Sequence, residues 1–176
     1  MVEIIQKDDK ILREISKEVS VSEITKPEIQ KIISDMNSAL DSQYDGVAIA
    51  APQIGVSLRI FIIPKRVFEN RDFIKQIGSI DNLKEEIKQN LVFINPVIKK
   101  LSKDKKLMEE GCLSVRPIFG NVRRATRATV EAYNEKGEKF IMEGTGLLAH
   151  IFQHEVDHLE GILFTDKAKN LREIKI

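Results

Sequence analysis

The sequence predicts an α+β fold in which antiparallel or mixed β-sheets pack around a central helix. Three observations predict it. Two long stretches carry apolar residues at helical spacing, one toward each end of the chain. Between them lie short β-branched runs punctuated by Gly, Pro and Asn. These strands cluster in the middle instead of alternating with helices, which argues against repeated βαβ units.

The 176 residues suit one domain, spanning 1–176. A chain this long buries roughly 70% of its unfolded surface, enough for a core of its own. Lys+Arg is 28 and Asp+Glu is 27, a net charge of +1. That balance gives no whole-chain attraction to DNA or to an anionic membrane. The 42% hydrophobic and 31% charged content excludes a disordered chain. A single cysteine, Cys112, permits no internal disulfide and fits a reducing compartment. The opening MVEIIQKDDK lacks a signal-peptide core. No apolar run approaches the roughly 18 residues of a membrane helix. A cytoplasmic, soluble protein is the expectation.

The first helix starts near Thr25-Lys26-Pro27-Glu28. Thr25 and Glu28 have capping-box spacing, and Pro27 suits a first turn. Ile29, Ile32, Ile33, Met36 and Leu40 follow on one face, and the helix ends near Asp41. LRIFIIP (Leu58–Pro64) reads as a buried strand stopped by its proline. Residues 65–90 read as a charged surface excursion with a short helix around Leu83–Ile87. LVFINPVIKK (Leu91–Lys100) is a second strand. The lysines from Lys99 to Lys106 read as a solvated turn, with contact to ribosomal RNA as the lesser reading. Ala128–Tyr133 and Lys139–Met142 flank NEKGE, a hairpin in which Gly137 supplies φ > 0. The last helix follows Gly144-Thr145-Gly146 and stops at Gly161. Leu147, Leu148, Ile151, Phe152 and Leu159 mark its apolar side.

That helix carries HIFQHEVDH, which holds all three histidines, His150, His154 and His158. On an ideal helix the outer two lie about 12 Å apart along the axis and about 80° apart around it. One ion with bonds of roughly 2.1 Å cannot reach both. Glu155 selects the pair. In H-E-x-x-H the Glu follows the first ligand and serves as the acid–base group. His154-Glu155-Val156-Asp157-His158 has that form, whereas Ile151 after His150 cannot accept a proton. A catalytic site usually needs a third protein ligand. The carboxylates and Cys112 are the candidates, although most free cysteines are small buried hydrophobes.

Three segments in order, GVAIAAPQ (Gly46–Gln53), EGCLS (Glu110–Ser114) and HEVDH (His154–His158), closely resemble the signature segments of peptide deformylases. The resemblance runs from Leu12-Arg13 to GILFTD (Gly161–Asp166). It implies a hydrolase that removes the N-formyl group from the initiator methionine of new proteins and releases formate. It implies one divalent metal on Cys112, His154 and His158, with Fe²⁺ foremost and Zn²⁺, Ni²⁺ or Co²⁺ as alternatives. By the same resemblance the Gln53 side-chain amide and the Leu113 backbone N–H meet the oxyanion. Glu155 moves the proton, with a raised pKa. Asp157 is expected to pair with Arg124, with Arg123 as runner-up, and Glu110 to fix the local geometry. The methionine pocket is expected at Val47, Leu147, His150 and Ile151. The backbone of Gly46, Val47 and Ala48 is expected to pair with the substrate chain. The expected partners are the nascent formyl-Met polypeptide and, transiently, the ribosome, with the protein a monomer.

The sequence departs from the family pattern at Ala48 and Ile49, where Gly and Leu are usual, and at His150, where an aliphatic residue is more common. If position 48 needs φ > 0 or a close substrate approach, the extra methyl costs something. This motivates a competing reading, a binding protein that has lost catalysis. A second competitor is an H-E-x-x-H metallopeptidase that takes its third ligand from Glu160, Asp166 or Glu173.

Overall fold

The computed structural model describes residues 2–69, 87 and 89–174. Its named strands form two antiparallel sheets. The larger has the order β1-β2-β3-β6-β7 and the smaller β4-β5-β8. The strands are β1 Ile49–Ala50, β2 Ile60–Ile63, β3 Leu91–Leu101, β4 Lys105–Gly111, β5 Ile118–Ala125, β6 Arg127–Tyr133, β7 Lys139–Thr145 and β8 Lys169–Glu173. The helices are α1 Pro27–Asp41, the short α2 Arg66–Glu69 and α3 Gly146–Leu159. The α+β expectation holds, with every paired strand antiparallel.

β2 explains why four consecutive apolar residues are needed. Ile60 and Ile62 face α1 and pack with Ile29, Ile33, Met36 and Leu40. Phe61 and Ile63 face α3 and pack with Phe93, Leu148 and Phe152. Successive side chains alternate across a strand, so a sheet covered on both faces must be apolar at every position. Phe61 and Phe93 stack with centroids 4.4 Å apart, and Phe152 of α3 tilts against Phe93 at 5.5 Å.

α1 begins one residue later than the capping box requires. Pro27 occupies the first turn and Lys26 is the extended cap, with ψ 151° and no side-chain cap bond. A residue before proline is driven out of the helical region, so Pro27 moves the boundary past Thr25. The Lys99–Lys106 turn shrinks to residues 102–104, because β3 runs to Leu101 and β4 begins at Lys105. β4 is an edge strand, where exposed lysines deter pairing with other chains. The expected helix at Leu83–Ile87 lies outside the described residues, apart from Ile87 itself. Within the excursion, Val67 and Phe68 of α2 are buried. The Ala128–Tyr133 hairpin forms as expected, with Gly137 at φ 79°.

α3 packs on β3, β6, β7 and β1 of the large sheet and on β5 of the small one, so it lies between them. Its C-terminus closes as the sequence predicts. Gly161 has φ 70°, its N–H bonds the His158 carbonyl at 3.1 Å, and Ile162 N–H bonds Asp157 at 2.9 Å. This is the double-bonded glycine stop that satisfies the last helical carbonyls. Gln153 ties α3 to β5, accepting from Ala125 N–H and donating to the Ala125 carbonyl, both at 3.0 Å. No helix among the described residues is long and apolar enough to cross a membrane.

Candidate active site

α3 and the loop after β4 bring the sequence-predicted ligands together. One donor atom from each of Cys112, His154 and His158 lies within 4.8 Å of the others. Cys112 Sγ is 3.2 Å from His158 Nε2. Glu160, Asp166 and Glu173 do not join this cluster. Glu160 pairs with Arg59, Asp166 pairs with Arg13, and Glu173 is exposed on β8. The downstream third ligand of a metallopeptidase is therefore not supplied.

A carboxylate backs the histidines. Glu110, the one buried side chain of β4, accepts from His154 Nδ1 at 2.8 Å and His150 Nε2 at 2.6 Å. With Nδ1 engaged, His154 presents Nε2 to the cluster, the arrangement typical of metal-bound imidazoles. Arg124 donates to both Glu110 oxygens, at 2.7 and 3.0 Å, and to Asp157 at 2.6 Å. Lys167 donates to both Asp157 oxygens at 2.7 Å. Arg124 is thus the partner of Asp157, while Arg123 on the opposite face is exposed. Burial opposes a charged Glu110, yet the bonds from His150, His154 and Arg124 outweigh it and hold its pKa far below the usual carboxylate range.

The donor set suits a divalent ion of borderline softness, since one sulfur and two imidazoles match Zn²⁺, Fe²⁺, Co²⁺ or Ni²⁺ better than Mg²⁺ or Ca²⁺. The two rings differ electrostatically. Burial disfavours a charged His154, but Cys112 and Glu110 hold its pKa well above the usual value. Burial and the His154 charge push His158 well below it.

Glu155 sits beside this cluster, 4% exposed, with Oε2 lacking a protein partner. Burial pushes its pKa up to about 7, with His154 opposing. Gln53 is held at its far end, where Oε1 accepts Ala50 N–H at 2.8 Å. Its Nε2 is directed to Ser114 Oγ at 3.2 Å and to Cys112 Sγ at 3.5 Å. The Ser114 N–H approaches Cys112 Sγ at 3.4 Å. The Leu113 N–H has no protein acceptor among the described residues.

A cavity of about 220 Å³ opens on the cluster. The expected pocket residues Val47, Leu147, His150 and Ile151 line it, as do Gly46 and Ala48 of the expected substrate-pairing backbone. Ala48 has no positive φ, and its methyl group simply forms wall. The positive-φ part of the lost-glycine motive therefore falls. His150 does more than add polarity to the wall, because it shares Glu110 with a predicted ligand. Sequence reasoning missed Asp45, Glu109, Arg116 and Phe119, which also line the cavity. It also missed the first residues of the chain. Ile5 N–H donates to the Gln53 carbonyl at 3.0 Å, and Gln6 Nε2 to the Leu113 carbonyl at 3.3 Å. Gln6 has no local signal, since its partner is distant in sequence.

Comparison with known proteins agrees with this geometry. The family described as Polypeptide deformylase matches residues 1–173. The chain is 44% identical over 170 residues to the peptide deformylase of Desulfitobacterium hafniense, covering 95% of this chain and 94% of that protein. It superposes on the Met-Ala-Ser-bound peptide deformylase of Acinetobacter baumannii with TM-score 0.78 at 31% identity, covering 94% and 97% of the two chains. The Synechococcus elongatus peptide deformylase in complex with actinonin gives TM-score 0.77 at 31% identity, covering 96% and 79%.

Proposed function

The chain belongs to the peptide deformylase family, metal-dependent hydrolases that remove the N-formyl group from nascent proteins, and from that premise we propose the following assignment of roles. Residues 1–176 act as one catalytic domain. Cys112, His154 and His158 hold one divalent ion, Fe²⁺ before Zn²⁺, Ni²⁺ or Co²⁺. The convergence of those three donors, backed by Glu110, is the observation that carries the proposal. When bound, such an ion supplies Lewis-acid charge and brings the ionisation of water toward neutral pH.

The chain's own groups do the rest. Glu155 accepts the proton of the attacking water and delivers it to the methionine nitrogen as the C–N bond breaks. A carboxyl titrating near 7 can take and return a proton under the same conditions. The Gln53 amide and the Leu113 N–H donate to the oxygen that becomes negative at the formyl carbon. Gln53 suits this role because its carbonyl end is fixed on Ala50, which leaves the NH₂ end aimed into the site. The products are formate and a free amino terminus. Val47, Leu147, His150 and Ile151 surround the methionine side chain. The segment Gly46–Ala48 leads into β1, the edge strand of the large sheet, and edge strands accept an added chain through backbone bonds. The setting is the cytoplasm, with the protein monomeric and touching the ribosome transiently.

Formate release from formyl-Met-Ala-Ser by anaerobically purified, Fe²⁺- or Ni²⁺-loaded protein tests the assignment. Release is expected, and its absence would overturn it. Cys112→Ala is expected to lose the metal. Retention with normal affinity would remove Cys112 from the ligand set.

A further inference from the structure

Residues 42–46 join the end of α1 to Val47 and Ala48, whose backbone is assigned to the substrate. The backbone ladder from β1 to β2 begins only at Ile49, which faces Ile62. Val47 and Ala48 take their position from their packing on the core, from β1 on one side and from whatever fixes the preceding loop on the other.

Two guanidinium groups fix it, from different parts of the chain. Nη2 of Arg66, in α2, donates to the carbonyls of Leu40 at 3.1 Å, Gln43 at 2.8 Å and Gly46 at 2.8 Å. Its Nη1 lies 3.5 Å from the Asp41 carboxylate. Arg116, in the loop after Cys112, donates to Asp45 at 2.6 Å. The bonds from Arg66 collect carbonyls at the C-terminus of α1, where a cation is favoured by the helix dipole. They leave little slack. A Cβ on Gly46 would stand 3.0 Å from Leu40 Cδ1 and 3.3 Å from the Gln43 carbonyl oxygen. The Gly46 carbonyl accepts one bond from Arg66, and Gly46, Val47 and Ala48 all line the cavity.

We propose that Arg66 is a positioning residue for the formylated peptide. It fixes residues 42–46 so that Val47 and Ala48 present their backbone groups in one place. Arg66 touches none of Cys112, Gln53, His154, Glu155 or His158, so its removal loosens the edge and spares the reacting groups. Without it, the loop must be ordered when substrate binds, and that cost falls on affinity. The inference rests on the deformylase assignment for its substrate but not for its geometry.

The test compares wild type, Arg66→Ala and Arg66→Lys, all metal-loaded, with formyl-Met-Ala-Ser as substrate. Amide hydrogen exchange is followed across residues 43–48. Arg66→Ala is expected to raise KM about tenfold, with kcat within about twofold and metal content unchanged. Amides at 44–48 should exchange faster. Arg66→Lys, which keeps the charge and three N–H donors, should recover part of the KM. Unchanged KM in Arg66→Ala, or a fall in kcat at constant KM, overturns the proposal. If Arg66→Ala does not fold, Arg66→Gln carries the same comparison. A wild type that releases no formate defeats the functional assignment alone. The exchange rates then decide the clamp, and unaltered exchange defeats it.

Discussion

On one side of α3, the five-stranded sheet buries Phe61, Phe93, Val130 and Phe152 in a continuous apolar cluster. On the other side, the cluster at the three-stranded sheet fully buries five side chains among the described residues, Leu12, Val115, Val122, Leu163 and Phe164, and every residue of β8 is exposed. What the small sheet buries instead is charge. Glu110 and Arg124, on paired strands, are 1% and 4% exposed at their side chains. One half is held by surface removed from water and the other by a buried ionic network. The predicted metal ligands lie where the two meet. A buried network constrains geometry more than it adds stability, whereas an apolar core does the reverse. Substitutions in the two halves should therefore separate activity from stability.

The largest effect is expected at the seam. Glu155→Gln should lower kcat by roughly 10²–10⁴-fold while leaving metal content and Tm near wild type. In the wild type, kcat/KM should fall as pH drops below about 7, because the base must be unprotonated. A Glu155→Gln variant that keeps this acid limb would assign it to another group. In the apolar half, Phe93→Ala should cost about 4 kcal/mol in denaturant unfolding. The folded fraction should keep its kcat. Lost turnover at full folding would break the separation between the halves.

In the charged half, Arg124→Met should cost about 3 kcal/mol, the lower end for an orphaned buried charge, because Lys167 still covers Asp157. It should also weaken metal retention by roughly 10–100-fold, since Glu110 would no longer be held against His154. Metal titration of the purified variant reads this directly. The smallest effect belongs to the exposed Arg13–Asp166 pair. Its bond from Arg13 holds Asp166 below its usual pKa. That contribution is present above the unfolded carboxylate pKa and is lost as pH falls through the folded one. Arg13→Ala should cost under about 1 kcal/mol at pH 7. The difference from wild type should vanish in acid unfolding curves near the folded pKa.

The same contrast governs what could be read from the sequence. The apolar half was legible, because β2, β3, the β6–β7 hairpin and α3 announce themselves through β-branched runs, Gly137 and helical periodicity. None of β4, β5 and β8 reads as a strand from the sequence. KKLMEEG buries only Glu110 and KNLRE buries nothing, so neither carries an alternating apolar pattern. Their pairing is a long-range fact. Within the site, H-E-x-x-H selected His154, Glu155 and His158 on local spacing alone, whereas Cys112 and Arg124 needed the family resemblance. Arg66, Arg116 and Gln6 carried no signal of either kind. Each is an ordinary polar residue until folding brings distant carbonyls or a carboxylate to it.

Glu110 has two oxygens and three partners, His150 and His154 among them. Both line the cavity, and His154 is also one of the proposed metal ligands. Pocket and metal site cannot therefore be varied independently in an evolving lineage. A lineage that reshapes its pocket by replacing His150 also changes the hydrogen bonding of the carboxylate that orients His154. Resistance to a pocket-filling inhibitor by that route would carry a cost in metal retention, and compensating changes would be expected near Arg124 rather than in the pocket.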